Sequence, residues 1–200
     1  TTMEYSTLDK LGVRVSRLGF GCMRFPLTAE GKIDEPRAAA MLDTAYKAGV
    51  TYYDTAYFYH QHTGEAFLGR AMKRYPRDTF YLATKMPMSI VESLDHAKEI
   101  FEGQLAALQT DYVDFYLLHA VNGERWKQAQ EMGIVDFLLE MQKAGRIRHF
   151  GFSFHGSYEE FETILTARDW DFCQIQFNYM DQEIQAGMRG YALAEKLGVP

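Results

Sequence analysis

Short runs rich in aromatic and branched residues alternate with longer stretches of helical periodicity along this chain. That alternation is what most limits the folds open to it. The strand-like runs are "RLGFGCMRF" (17–25), "VTYYDTA" (50–56), "TFYLATKM" (79–86), "YVDFYLLH" (112–119), "IRHFGFSF" (147–154) and "DFCQIQFNY" (171–179). The helix-like stretches cover 34–49, 64–75, 94–110, 133–145, 157–169 and 185–198. Asp34 is a candidate N-cap, with Pro36 in the first turn and Gly49 as the stop. In 94–110, Ile100, Phe101, Leu105 and Leu108 share a face that only Gln104 interrupts. The segment 120–132 reads as a loop.

Six strand-then-helix units imply a parallel sheet covered by helices. An open doubly wound sheet usually carries a glycine-rich phosphate turn after its first strand. Here "GFGCMR" offers only Gly-x-Gly, with no helix directly behind it. The spacing therefore predicts an α/β fold of the (β/α)8 TIM-barrel type. It reads as one barrel domain over 1–200, apparently truncated after about six βα units. Two short strand-like pieces around Lys10-Leu11-Gly12 predict an N-terminal β-hairpin ahead of the first unit.

Charge and cysteine content narrow the function classes. The net charge is −6 with no basic run, so nucleic acid and anionic membranes are not expected as partners. No apolar run approaches membrane-span length, and Cys22 and Cys173 both lie in apolar stretches. A reducing, cytoplasmic setting is the expectation.

Polar residues interrupt the apolar strands at one end. Asp54, Lys85, His119 and Ser153 lie at or near the C-terminal ends of successive strands, and Gln174 and Asn178 mark the sixth. In a barrel these ends converge on one mouth, where such folds do chemistry. Taken singly, each has a plainer role: Asp at a strand end caps a turn, and Lys there reaches water. Together with Tyr59 they make a tunable acid–base set. A nearby ammonium lowers a phenol pKa, Asp54 can neutralise a buried Lys85, and His119 can polarise an oxygen that Tyr59 approaches. Such a set suits proton exchange with a carbonyl or alcohol, which requires a hydride partner and so a nicotinamide cofactor.

These motifs resemble the aldo-keto reductases. The matching pieces are "SRLGFGCMRF", "GVTYYDTAYFYHQHTGE" with its Asp-x4-Tyr spacing, "FYLATK", "QLAALQTDYVDFYLLH", "GRIRHFGFSFHG" and "DFCQIQFNYMD". The last two blocks look most like a bacterial and archaeal branch related to members with a C-terminal ferredoxin-like iron–sulfur domain; no iron–sulfur cysteine run occurs in this chain. The resemblance implies a barrel plugged at its bottom by the hairpin. It implies Tyr59 as proton donor, Lys85 and Asp54 as the residues lowering its pKa, and His119 as the residue orienting the carbonyl. It places Gly21, Cys22 and Met23 beside the nicotinamide ribose, with Asp54, and Ser153 and Gln174 on the carboxamide. It implies NADP(H) more than NAD(H), a small carbonyl substrate (aldehyde, ketone or quinone), and no metal. Phe154 stands where the family usually has Asn. The family's pyrophosphate and adenosine cradle falls beyond residue 200. Two alternatives stand beside this reading. His60-x-His62, with Asp54, His119 and His155, could serve a metal-dependent barrel hydrolase. A non-catalytic binding or regulatory role is the other.

Overall fold

In the computed structural model, residues 2–200 are described. A hairpin opens the chain: β1 (Tyr5–Leu8) pairs antiparallel with β2 (Val13–Ser16) through a turn that ends on Gly12 at φ 64°. A six-stranded parallel sheet follows, formed by β3 (Phe20–Gly21), β4 (Tyr52–Asp54), β5 (Tyr81–Met86), β6 (Val113–Val121), β7 (Ile147–Phe154) and β8 (Phe172–Ile175), in sequence order. Each strand thus pairs with the next one made, as expected for successive βα units.

The covering helices are α1 (Glu35–Lys47), α3 (Gly64–Met72), α4 (Leu94–Leu108), α5 (Gly123–Glu131), α6 (Ile134–Lys143), α7 (Tyr158–Thr166) and α8 (Gly187–Lys196); α2 (Tyr59–His62) is a single distorted turn. Side chains start several of them as expected. Asp34 accepts from the Arg37 amide at 3.3 Å, and Ser93 accepts from His96 at 3.1 Å. Among the described residues, no helix is long and apolar enough to cross a membrane.

Strand alternation sorts the core into two layers. Ala83, Phe115, Leu117 and Phe172 point into the barrel, where Tyr52 and Tyr81 join them. Leu8, Leu11, Val13 and Val15 of the hairpin pack on this inner cluster and close its bottom. Residues of opposite parity, such as Leu82, Tyr116, Leu118, Phe150 and Phe152, face the helices in the larger outer core. Each such fully buried side chain contributes about 1.5–3 kcal/mol. Lys10 staples the hairpin to the far side of the sheet through Asp169 at 2.6 Å and the Trp170 carbonyl. Asp114, buried near the same end, accepts from the Leu82 amide at 2.9 Å and pairs with Arg77 at 2.8 Å, tying β5 to β6.

Three expectations are corrected. The first strand is only two residues long, because Cys22–Arg24 turn into a 3₁₀ segment. The segment 120–132 is not a loop: β6 continues to Val121, Asn122 caps α5 by accepting from Arg125 at 2.8 Å, and Trp126 is buried against Trp170. The sixth strand stops at Ile175, so Asn178 lies beyond it and folds a turn by accepting from the Met180 and Asp181 amides.

α3 and α4 approach unusually closely at Gly69, where an added Cβ would lie 2.3 Å from the Ala107 carbonyl oxygen. Gly69→Ala is therefore expected to destabilise the fold by about 1–3 kcal/mol despite alanine's better helix propensity. Gly103, in the same pair of helices, has no atom within 4 Å of that position. Gly103→Ala should instead stabilise by up to about 1 kcal/mol. Urea unfolding midpoints of the two variants, moving in opposite directions, check both.

Candidate active site

The parity that builds the inner core also aims the polar residues. Asp54 follows Tyr52, Lys85 follows Ala83, His119 follows Leu117, and Gln174 follows Phe172, each by two residues on the same face. Register places them side by side: Gly21 pairs with Asp54, Lys85 with Leu117, and Ser153 with Gln174. The interior is thus apolar below and polar at the C-terminal mouth.

At its centre is a buried ion pair. Lys85 Nζ lies 2.8 Å from Asp54 Oδ1 and donates to the Thr55 carbonyl at 2.7 Å; its side chain is 3% exposed. An ammonium so far from water needs such partners, since an unpaired buried charge costs several kcal/mol. The same ammonium lies 5.3 Å from the centre of the Tyr59 ring. Tyr59 meets His119 edge to face, with ring centres 6.4 Å apart. The four residues expected to act together are thus brought together.

The electrostatics differ in one respect from the expectation. Burial raises the Tyr59 phenol above its ordinary value of 10; Lys85 pulls it down, but Asp54 adds to the rise. The net direction is upward, so Tyr59 is a protonated phenol at neutral pH. His119 moves the other way. Burial, with help from Lys85, His155 and Arg125, holds its imidazole down to about 4, so the ring is neutral at pH 7.

Behind the strand wall, a hydrogen-bonded chain locks Lys85's backbone. Gln104 of α4 donates to the Lys85 carbonyl at 2.8 Å and accepts from the Tyr116 hydroxyl at 2.7 Å. Thr84 donates to Glu65 Oε2 at 2.7 Å. Gln104 was legible as the break in an apolar helix face; Glu65 and Arg125 gave no such signal. Arg125 comes from α5 and donates to the Ala120 carbonyl at 2.8 Å, beside His119.

A nicotinamide group fits the residues around this site. Gly21 has open space where a side chain would stand. The Ser153 oxygen accepts from the Ala120 amide at 2.8 Å, which leaves its hydrogen free to donate. Gln174 is exposed, with no side-chain hydrogen bond among the described residues, and its amide matches a carboxamide's donor and acceptor. Cys22 is buried, with burial and Asp54 pushing its thiol upward, while Met23 is half exposed at the mouth. Phe154 points away from the mouth onto Phe161 of α7, with ring centres 5.3 Å apart, and so fills the outer core. His155 is exposed and meets Gln185. The two histidines of the alternative metal pair are engaged separately. His60 contacts the backbone of the Cys22–Arg24 turn, and His62 lies edge-on to Tyr57. Among the described residues no three His, Cys, Asp or Glu side chains are grouped to hold a metal ion.

A family model described as "Aldo/keto reductase family" matches residues 17–200. The chain belongs to the aldo/keto reductase family. It is 29% identical to the aldo-keto reductase YhdN of Bacillus subtilis, over 98% of this chain and 60% of that protein. It is 32% identical to the norsolorinic acid reductase stcV of Emericella nidulans, over 71% of this chain and 40% of that protein. Among solved structures, the holo form of aldo-keto reductase AKR11C1 from Bacillus halodurans superposes with a TM-score of 0.81 at 29% identity, covering 98% of this chain and 64% of that one. The chain therefore spans about three fifths of the length of the curated relative it matches over nearly all of its residues. The six-stranded parallel sheet with its hairpin plug is a partial (β/α)8 barrel of this family.

Glu65 makes the site's wall sensitive to pH. Burial raises its carboxyl to about 7 from an ordinary 4.5. A folded-state pKa above the unfolded one gives stability that is full below pH 4.5 and is lost as pH rises through about 7. Glu65→Gln should therefore gain stability relative to wild type across that window, by up to about 3 kcal/mol. The check is denaturant stability of both proteins from pH 4 to 8, taken as a difference. Subtraction removes His119, which destabilises in the opposite sense as pH falls towards about 4.

Proposed function

We propose that the protein is an NAD(P)H-dependent oxidoreductase that reduces a small carbonyl, an aldehyde, ketone or quinone, to an alcohol. One observation carries this reading. Tyr59, on the turn after β4, meets His119 and the Lys85–Asp54 pair at the mouth, with Lys85 5.3 Å from the Tyr59 ring and His119 edge-on to it. Membership of an oxidoreductase family supports it.

In this mechanism Tyr59 is the acid. Its raised pKa keeps the proton on the phenol until a carbonyl oxygen accumulates charge beside it. Lys85 then stabilises the phenolate that remains, and Asp54 holds Lys85 in place without competing for the substrate. His119, neutral at working pH, donates a hydrogen bond to the same oxygen and orients it. Gly21, Cys22, Met23 and Asp54 would flank a nicotinamide ribose, and Ser153 and Gln174 would hold its carboxamide. When bound, that group supplies the hydride. NADP(H) is proposed over NAD(H) on the family resemblance. The unbridged Cys22 and Cys173 fit a cytoplasmic site of action.

Tyr59→Phe keeps the ring and removes the proton. It is expected to lower kcat by about 100-fold or more while leaving the fold intact. The measurement is NADPH consumption with a panel of aldehydes, ketones and quinones, alongside circular dichroism. A variant as fast as wild type defeats this assignment, and stoichiometric zinc with no nicotinamide binding would defeat the reductase reading altogether.

A further inference from the structure

The turn that carries Tyr59 is followed by a conformation that needs an explanation. His60, Gln61 and His62 all have positive φ, at 53°, 54° and 68°. Three successive side chains in the left-handed region form a stretch that L-residues avoid, and none of the three is glycine. Such a segment persists only where its surroundings over-determine it.

His60 supplies that determination. Its Nε2 lies 3.1 Å from the Phe25 amide and 3.1 Å from the Cys22 carbonyl. Either neutral tautomer makes one of these bonds: a bare Nε2 accepts from Phe25, and a protonated one donates to Cys22. The ring also stacks on Phe25, 5.4 Å away at 28°. Phe25 is itself fixed edge-on against Phe67 of α3 at 5.0 Å. On the other side of the turn, the His60 carbonyl accepts from the Thr63 hydroxyl at 2.6 Å and the Thr63 amide at 3.1 Å. Gly64 closes against it: a Cβ there would meet the Tyr59 carbonyl oxygen at 3.0 Å and the His60 ring at 3.5 Å.

The ring of His60 therefore bridges the two neighbouring loops that follow β3 and β4 at the mouth. One is the Cys22–Arg24 turn, which continues from Gly21, the register partner of Asp54 on the adjacent strand. The other is the turn that presents Tyr59. His62 takes no part in this bridge, since its ring packs on Tyr57 and Phe58.

We propose that His60 is a positioning residue that straps the Tyr59 turn to the Cys22–Arg24 turn and so fixes the phenol relative to the side of the mouth where the cofactor is proposed to lie. The proposal rests on the reductase reading for its effect on turnover, but not for the strap itself. His60 touches neither the reacting atoms nor the substrate. Its role is to hold a conformation that the backbone alone does not favour.

Two variants separate the strap from general stability. His60→Gly removes the ring but supplies the one residue at ease with positive φ, so its melting temperature should be no lower than that of wild type. His60→Gln keeps an acceptor for the Phe25 amide and a donor for the Cys22 carbonyl. The first readout needs no turnover: hydrogen exchange of the Phe25 amide, followed by NMR, should speed up by about tenfold or more in His60→Gly and return towards wild type in His60→Gln. The second is kinetic: kcat of His60→Gly should fall by about tenfold or more with KM for the carbonyl changed less than about threefold, and His60→Gln should recover most of the loss. Unchanged Phe25 exchange in His60→Gly overturns the strap. Faster exchange with kcat at the wild-type level overturns its role in placing Tyr59, as does a loss of kcat that only tracks a lowered melting temperature. A wild-type protein with no carbonyl turnover sinks the reductase reading instead, and the exchange measurement then decides the strap by itself.

Discussion

The site depends on keeping one ammonium ion out of water. Lys85 sits on the inner face of a barrel strand, between apolar Ala83 below and the mouth above, and it is almost fully buried. Only a carboxylate and a carbonyl within hydrogen-bond distance make that placement tolerable, and Asp54 and the Thr55 backbone supply them. Both lie at the end of the neighbouring strand, so the pair forms only if β4 and β5 are in register. The polar chain through Gln104, Thr84 and Glu65 fixes the same strand from its outer side. Lys85 is thus held from both faces of the sheet, and Tyr59 and His119 are arranged around it.

How much of this could be read in advance follows from which interactions are local. Strand alternation is local, so the two-residue spacing from Ala83 to Lys85 and from Leu117 to His119 already marked one face and one end of a barrel. The hairpin plug and most helix limits were legible for the same reason. The helix at Gly123–Glu131 was missed because it is mostly polar and its buried Trp126 and Ala129 make too small an apolar stripe. The shortness of β3 was missed because Phe20, Cys22, Met23 and Phe25 make "GFGCMRF" read as one apolar strand, although Gly21 and Arg24 are turn-compatible residues at the point where the chain leaves the sheet. The direction of the Tyr59 shift was hidden for a different reason. It is a contest between burial and two opposite charges, and burial is a property of the whole fold.

Phe154 shows how a departure from a family pattern acquires meaning only in three dimensions. It fills the layer between β7 and α7, where a carboxamide side chain would leave polar atoms among Phe152, Phe161 and their neighbours. Ser153, one residue earlier and of opposite parity, still faces the mouth. Ser153 and Gln174 share a register position on adjacent strands, so the polar pair at this end of the sheet does not depend on residue 154.

The hairpin plug has a consequence for how the molecule comes into being. Leu8, Leu11, Val13 and Val15 are synthesised well before Phe172, which belongs to the inner cluster they cover. Their ion-pair staple, Lys10 to Asp169, spans 159 residues of chain. The hairpin therefore waits, with its apolar side uncovered, until β8 has been made and the sheet has curled enough to receive it. Contacts of such long range are slow to form, and the growing chain carries an adhesive segment until β8 is in place. A short hairpin with charged Lys10 and Arg14 interspersed among its apolar residues keeps that segment small and wettable during the wait.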